Sequence, residues 1–128
     1  MKILKTHHVA IIASDYSRSK YFYNGILGLK ILAEHYRQER NSYKLDLELP
    51  DKTQIELFSF PNPPKRLSYP EACGLRHLAF QVENVEEAKE SLEKHRVTVE
   101  PIRVDEWTGK KFTFFADPDG LPLEIYEQ

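Results

Sequence analysis

Cysteine, tryptophan and methionine are scarce here, with one of each. Cys73 is the single thiol, so no internal disulfide can staple the fold, and a cytoplasmic setting is expected. Long apolar runs are also missing. Mean hydropathy is −0.56, and no stretch approaches the roughly 20 apolar residues that span a bilayer. The opening, Met1-Lys-Ile-Leu-Lys-Thr-His-His8, reaches polar residues too soon to form the apolar centre of a secretory leader. No sign of charge dominates: 18 basic and 20 acidic side chains are interspersed. There is no basic stripe for nucleic acid and no acidic tail, so neither nucleic acid nor membrane is an expected partner. The 128 residues, 41% hydrophobic and 30% charged, suit one compact soluble domain.

What the chain does contain is an internal repeat. His8-Val-Ala-Ile-Ile-Ala-Ser-Asp15 matches His77-Leu-Ala-Phe-Gln-Val-Glu-Asn84 at an offset of 69 residues. Asp51-Lys-Thr-Gln-Ile-Glu56-Leu57 matches Asp119-Gly-Leu-Pro-Leu-Glu124-Ile125 at an offset of 68. Each half therefore opens on a histidine and closes on a glutamate. The single domain, 1–128, divides into a first module of about 1–60, a linker of about 61–73 and a second module of about 74–128. The linker contains the proline-rich stretch from Pro61 to Pro70.

The local patterns supply one βαβββ unit per half. Residues 4–13 and 75–83 read as strands rich in Val, Ile, Leu and Phe. A helix is predicted over about 16–27, capped by Asp15 or Ser17 and ended by Gly28, with Phe22, Tyr23, Ile26 and Leu27 as its apolar face. A second is predicted over about 85–95, with Asn84 and Glu87 at capping-box spacing. Residues 44–49 alternate strictly and continue through a turn at 50–52 into a strand over 53–60. In the second half, 112–116 and 121–127 are strands joined by the turn Asp117-Pro-Asp-Gly120. Shorter strands near 29–36 and 97–104 complete the units.

Strand parity then sorts the faces. Val9 and Ile11 point one way, His8, Ala10 and Ile12 the other. Leu78, Phe80 and Val82 oppose His77 and Ala79. Glu56 lies between Ile55 and Leu57, and Glu124 between Leu123 and Ile125. With the larger apolar set beneath the helix, both histidines and both glutamates face away from the core. Pairing the two open faces would gather two imidazoles and two carboxylates. A single strand histidine is ordinarily structural, and a single glutamate ordinarily a solvated one. Their duplication with matching parity points instead to a metal site made of His8, Glu56, His77 and Glu124. His7 has the opposite parity and no counterpart, since Arg76 occupies the matching position. His7, His35, His95 and Cys73 are read as structural or surface residues.

These segments resemble the vicinal oxygen chelate superfamily, and within it the glyoxalase I-like proteins (glyoxalase, bleomycin resistance and dioxygenase proteins). The matching residues are His8-Val-Ala-Ile11, Phe22-Tyr23 with Leu27-Gly28-Leu29, Ile55-Glu56-Leu57, His77-Leu-Ala-Phe80 and Asp117 to Glu124. The resemblance implies an α+β fold, two βαβββ modules forming a curved eight-stranded sheet around a metal cleft. It also implies the His, Glu, His, Glu ligand pattern of bacterial glyoxalase I. Two positions depart from the glutathione-using members. Ile12 stands where an arginine is usual, and Phe60 where an asparagine is frequent. Phe58, Phe60 and Tyr126 should give the cleft an aromatic lining instead.

A mixed N/O set with open positions suits one divalent ion per site, Ni, Zn, Co, Mn or Fe. Such an ion can chelate two adjacent oxygens of a small-molecule substrate and stabilise an enediolate-like intermediate, with Glu56 or Glu124 as the base. The expected activity is a metal-dependent lyase or isomerase of the lactoylglutathione lyase type, acting as a homodimer. Alternatives are acyl-thioester epimerisation, extradiol-type ring cleavage through His8, His77 and Glu124, and non-catalytic drug binding. Dioxygenation would leave Glu56 without a role, and binding proteins of this fold commonly lack the ligands. The loop Asp105-Glu-Trp-Thr-Gly-Lys-Lys111 either covers the cleft with Trp107 or is an ordinary hairpin.

Overall fold

The same succession of elements occurs twice. In the computed structural model, which describes all 128 residues, β1 (His8–Ala13), α1 (Tyr16–Lys20), β2 (Lys30–Arg37), β3 (Ser42–Glu48) and β4 (Gln54–Ser59) form the first set. The second comprises β5 (Leu78–Val82), α2 (Val85–Lys94), β6 (Arg103–Val104), β7 (Lys111–Ala116) and β8 (Pro122–Glu127). The chain divides into two units, Met1–Pro64 and Lys65–Gln128, with the boundary inside the proline-rich stretch. The eight expected strands are hydrogen-bonded as two sheets of four, ordered β1-β4-β3-β2 and β5-β8-β7-β6. In each, the first strand runs parallel to the last of its module and the remaining pairs are antiparallel. This is the α+β, two-module arrangement that the repeat implies. No helix is long and apolar enough to cross a membrane.

Parity holds along every strand that matters for the site. Ile11, Ala13, Leu45, Leu47, Ile55 and Leu57 are buried in the first unit, and Phe115, Leu123 and Ile125 in the second. The helices cover these apolar faces: α1 lies against β4, and α2 against β7 and β8. Asp15 caps α1 by accepting from the Arg18 amide at 3.1 Å, and Asn84 caps α2 by accepting from the Glu87 amide at 3.0 Å.

Several boundaries differ from the sequence reading. After Lys20 the first helix widens into π-helical turns over Tyr21–Ile26, with the Leu27 amide bonded five residues back to the Phe22 carbonyl at 2.9 Å. Gly28 follows with φ +73°, a left-handed position suited to ending a helix. β1 begins at His8 and β5 at Leu78, later than the apolar patterns suggest. In the second unit the reason is visible. The carbonyls of Leu75 and Arg76 accept from Arg66 Nη2 at 2.6 and 3.1 Å, so these residues are tied to the preceding segment. The strand expected near 97–104 shrinks to Arg103–Val104. The carbonyls of Glu100 and Pro101 instead accept from the buried Thr113 hydroxyl, at 2.8 and 3.3 Å.

A polar cluster ties α1 to β2. The Tyr16 hydroxyl donates to Glu34 Oε2, and Lys20 Nζ donates to the same oxygen at 2.7 Å. The Lys20 hydrogen bond, followed by that of Tyr16, holds the Glu34 carboxyl below its ordinary range. Burial, reinforced by Glu34, raises the Tyr16 phenol.

Two outcomes follow from this packing. Leu57→Ala, at a fully buried position, should cost about 2–5 kcal/mol in urea unfolding. Ile12→Ala, on the open face and 53% exposed, should stay within about 0.5 kcal/mol. Lys20→Met should raise the Glu34 titration midpoint toward the ordinary carboxylate value, read by carboxyl carbon NMR. Because the folded pKa is depressed, the stabilisation is present above the ordinary value and is lost as pH falls through the depressed one. An unmoved midpoint would show that Lys20 does not set it.

Candidate metal centre

The first-module pair is built by the parallel β1–β4 ladder. Glu56 is registered with Ala10, and His8 stands two residues before that alanine on the same face. Ala10 leaves space for the carboxylate to lean toward the imidazole. His8 Nε2 lies 3.7 Å from Glu56 Oε2. Its other ring nitrogen, Nδ1, meets His7 Nδ1 at 2.9 Å, so His7 orients the His8 ring from outside. Glu56 is held by neighbours buried to within a percent, Ile55 at 1% and Leu57 at 0% exposed. Its own side chain keeps 17% of its exposure.

Two polar side chains escaped the sequence reading. Lys44 and Asp46 on β3 share the parity of Glu56, with Asp46 registered opposite it. Lys44 Nζ lies 3.2 Å from Glu56 Oε1 and also bonds Asp46. Burial alone would lower the Lys44 ammonium, but its hydrogen bonds to Asp46 and Glu56 outweigh that and hold it above its ordinary value. The signal was present in the alternation from Lys44 to Leu49, whose polar positions define the same face.

The second module repeats the pair with a different floor. Glu124 is registered with Ala79, and His77 immediately precedes β5, two residues before that alanine. His77 Nε2 lies 3.0 Å from Glu124 Oε2. Where the first module has Lys44 and Asp46, β7 offers Phe112 and Phe114, registered with Tyr126 and Glu124. Phe114 meets the His77 ring edge-on at 5.1 Å. The Arg103 guanidinium lies 5.0 and 5.2 Å from the Phe112 and Phe114 ring centres and pairs with Glu100 at 3.1 Å. An open depression of about 1010 Å³ borders this pair, lined by Tyr69, Arg76, His77, Arg103 and Phe114 among others.

The remaining sequence assignments are located as follows. Phe58, Phe60 and Tyr126 are half-buried, and Phe58 and Phe60 stack at 6.0 Å. The Tyr126 hydroxyl donates to Asp105 Oδ2 at 3.0 Å, anchoring the loop 105–110. Trp107 in that loop is 88% exposed. His35, His95 and Cys73 are exposed.

Two donors bound to one ion at about 2.1 Å and at a right angle stand about 3 Å apart. The His77–Glu124 spacing of 3.0 Å meets this, and the His8–Glu56 spacing of 3.7 Å needs only a small side-chain rotation. Imidazole nitrogen with carboxylate oxygen is the donor chemistry of first-row divalent ions. The chain thus offers two such bites, one per unit. No group of three or more His, Cys, Asp or Glu side chains is placed to hold an ion.

Known proteins resemble this chain in sequence and in fold. Residues 5–125 match the sequence model of the Glyoxalase/Bleomycin resistance protein/Dioxygenase superfamily. Uncharacterized protein YaeR of Escherichia coli K12 is 60% identical over 124 residues, covering 97% of this chain and 96% of that one. Metallothiol transferase FosB of Staphylococcus saprophyticus is 32% identical over 130 residues, covering 97% of this chain and 77% of that one. The crystal structure of a glyoxalase family protein from Enterococcus faecalis has a TM-score of 0.89 and 53% identity, covering 96% of this chain and 97% of that one. By sequence, by module order and by strand topology, the chain belongs to the glyoxalase/bleomycin resistance protein/dioxygenase superfamily.

Proposed function

We propose that the chain is a metal-dependent lyase or isomerase of the glyoxalase type, acting on a small molecule with two adjacent oxygens. The observation that carries this is the duplicated His–Glu pair, set on the open face of each module at equivalent register. One pair from each module, in one chain or across a homodimer, gives the four donors His8, Glu56, His77 and Glu124. A divalent ion held there would supply Lewis acidity to the two substrate oxygens and so acidify the neighbouring C–H. Ni, Zn, Co, Mn and Fe all suit such a set.

The chain's own groups then move the proton. Glu56 accepts it from carbon and can return it to the adjacent carbon. Its two oxygens have different partners, Oε1 facing Lys44 and Oε2 facing His8, so one can stay held while the other accepts. Glu124 has the drier surroundings, with Phe114 opposite it and 12% side-chain exposure, and serves as the fixed ligand. A second reading, metal-dependent thiol transfer, is favoured by the 32% identity to metallothiol transferase FosB. That reading would draw on the same donor set, but the step would join a thiol to an electrophilic substrate instead of moving a proton between carbons.

Metal analysis of purified protein should find one divalent ion per four-donor set. His8→Ala and His77→Ala should lose it, while His95→Ala should keep it. His7→Ala, removing the group that orients His8, should weaken affinity by about 10–100-fold. Equal retention in His8→Ala and His95→Ala would remove the assignment.

Activity should be sought with a panel of α-dicarbonyl–thiol adducts, acyl thioesters and thiol acceptors, using the metal-loaded protein. With Ile12 and Phe60 in place, the methylglyoxal–glutathione adduct should turn over with kcat/KM below about 10⁵ M⁻¹s⁻¹. On the best substrate, Glu56→Gln should keep the fold and lose about 10²-fold or more in rate, the scale of losing a general base. Full activity of that variant with consumption of oxygen would replace proton transfer by dioxygenation.

A further inference from the structure

Arg37 ends β2 on the face that carries Lys44, Glu56 and Phe58. Its partner across the ladder is Ser42, and two steps along β3 Lys44 is registered with Phe58. The Arg37 guanidinium lies 5.0 Å from the centre of the Phe58 ring and 5.8 Å from that of Phe60. Those rings are stacked nearly parallel, tilted by 12°. Arg37 Nη2 donates to the hydroxyl of Ser42 at 3.0 Å, and Ser42 is fully buried. The guanidinium is thus held beside two aromatic rings and tethered to Ser42, and Phe58 lies two residues along β4 from Glu56.

The environment of this cation is incomplete. Arg37 takes part in none of the chain's ion pairs. Its Nε is buried without a hydrogen-bond partner. A half-buried charge with an orphaned N–H destabilises a fold, and packing on two rings offsets only part of that cost. Arg103 provides the contrast within the same chain. It too lies over two aromatic rings, but Glu100 neutralises it at 3.1 Å. Lys44, the other cation near Phe58, is engaged by Asp46 and Glu56. Arg37 is therefore the uncompensated positive group of the first module's open face.

We propose that Arg37 anchors an oxyanion on the substrate. The substrate class is then a molecule with a pair of chelating oxygens and, apart from them, a carboxylate or phosphate group. A guanidinium tethered to Ser42 and packed beside two rings has lost part of its freedom already, and its remaining Nη hydrogens match the oxygens of either anion. That the anion belongs to a substrate rests on the function proposed above. That Arg37 binds an oxyanion rests on the geometry alone.

The test uses the full chain, metal-free and ¹⁵N-labelled, titrated separately with inorganic phosphate and with acetate while the arginine side-chain signals are followed. The Arg37 signals should shift saturably. Arg37→Met should weaken the apparent affinity by about tenfold or more, the loss of a charge-assisted hydrogen bond. Arg37→Lys keeps the charge without the planar fork and should fall between the two, and Arg96→Met at an exposed position should match the parent chain. Tighter binding of phosphate points to a phosphate-bearing substrate, and comparable binding of acetate to a carboxylate; either supports the anchor. Unmoved Arg37 signals, or equal affinities in the parent chain and both Arg37 variants, would overturn it. Because no metal is present, failure of the metal assignment in His8→Ala leaves this result standing, and the reverse holds too.

Discussion

Everything at the candidate site depends on the parallel pairing of the first and last strands in each module. That ladder sets Glu56 beside Ala10 and Glu124 beside Ala79. The flanking residues, Ile55 and Leu57 in one case and Leu123 and Ile125 in the other, are buried to 4% exposure or less. A one-residue slip would exchange those faces, exposing four aliphatic side chains and driving two carboxylates into the core. The cost of that exchange fixes the register far more firmly than any contact of the carboxylates themselves. The acidic groups are held in place by their neighbours' aversion to water.

Much of this was legible in the chain alone. Period-two alternation reports which face is wet, and duplication distinguishes a paired His–Glu arrangement from chance. The caps at Asp15 and Asn84, the stop at Gly28 and the inward sets of β1, β4 and β8 follow from local chemistry. Other features depend on partners distant in sequence. β5 starts late because Arg66 claims the carbonyls of Leu75 and Arg76. The strand near 97–104 is short because Thr113 takes the carbonyls of Glu100 and Pro101. Neither competition leaves a periodic trace. Lys44 and Asp46 were visible as polar positions of an alternating strand, but their approach to Glu56 needs the β3–β4 register.

The two modules agree in backbone plan and disagree in chemistry. Around Glu56 the face is ionic, with Lys44, Asp46 and Arg37. Around Glu124 it is aromatic, with Phe112 and Phe114. Carboxylates in such different surroundings are suited to different tasks. Each module carries a matching His–Glu pair, and the different residues at the neighbouring positions of β3 and β7 make the pairs inequivalent without disturbing the ladders that position them.

The loop 105–110 carries one more consequence. Asp105 accepts from the amides of Trp107 and Thr108 at 2.8 and 3.3 Å and receives the Tyr126 hydroxyl at 3.0 Å, which closes the loop into a tight turn. The only indole of the chain projects from that turn into water. Intrinsic tryptophan emission is therefore a reporter on one surface loop and is nearly blind to the two buried cores. A denaturation curve drawn from it reports chiefly on that loop. The melting of the sheets has to be watched through the backbone.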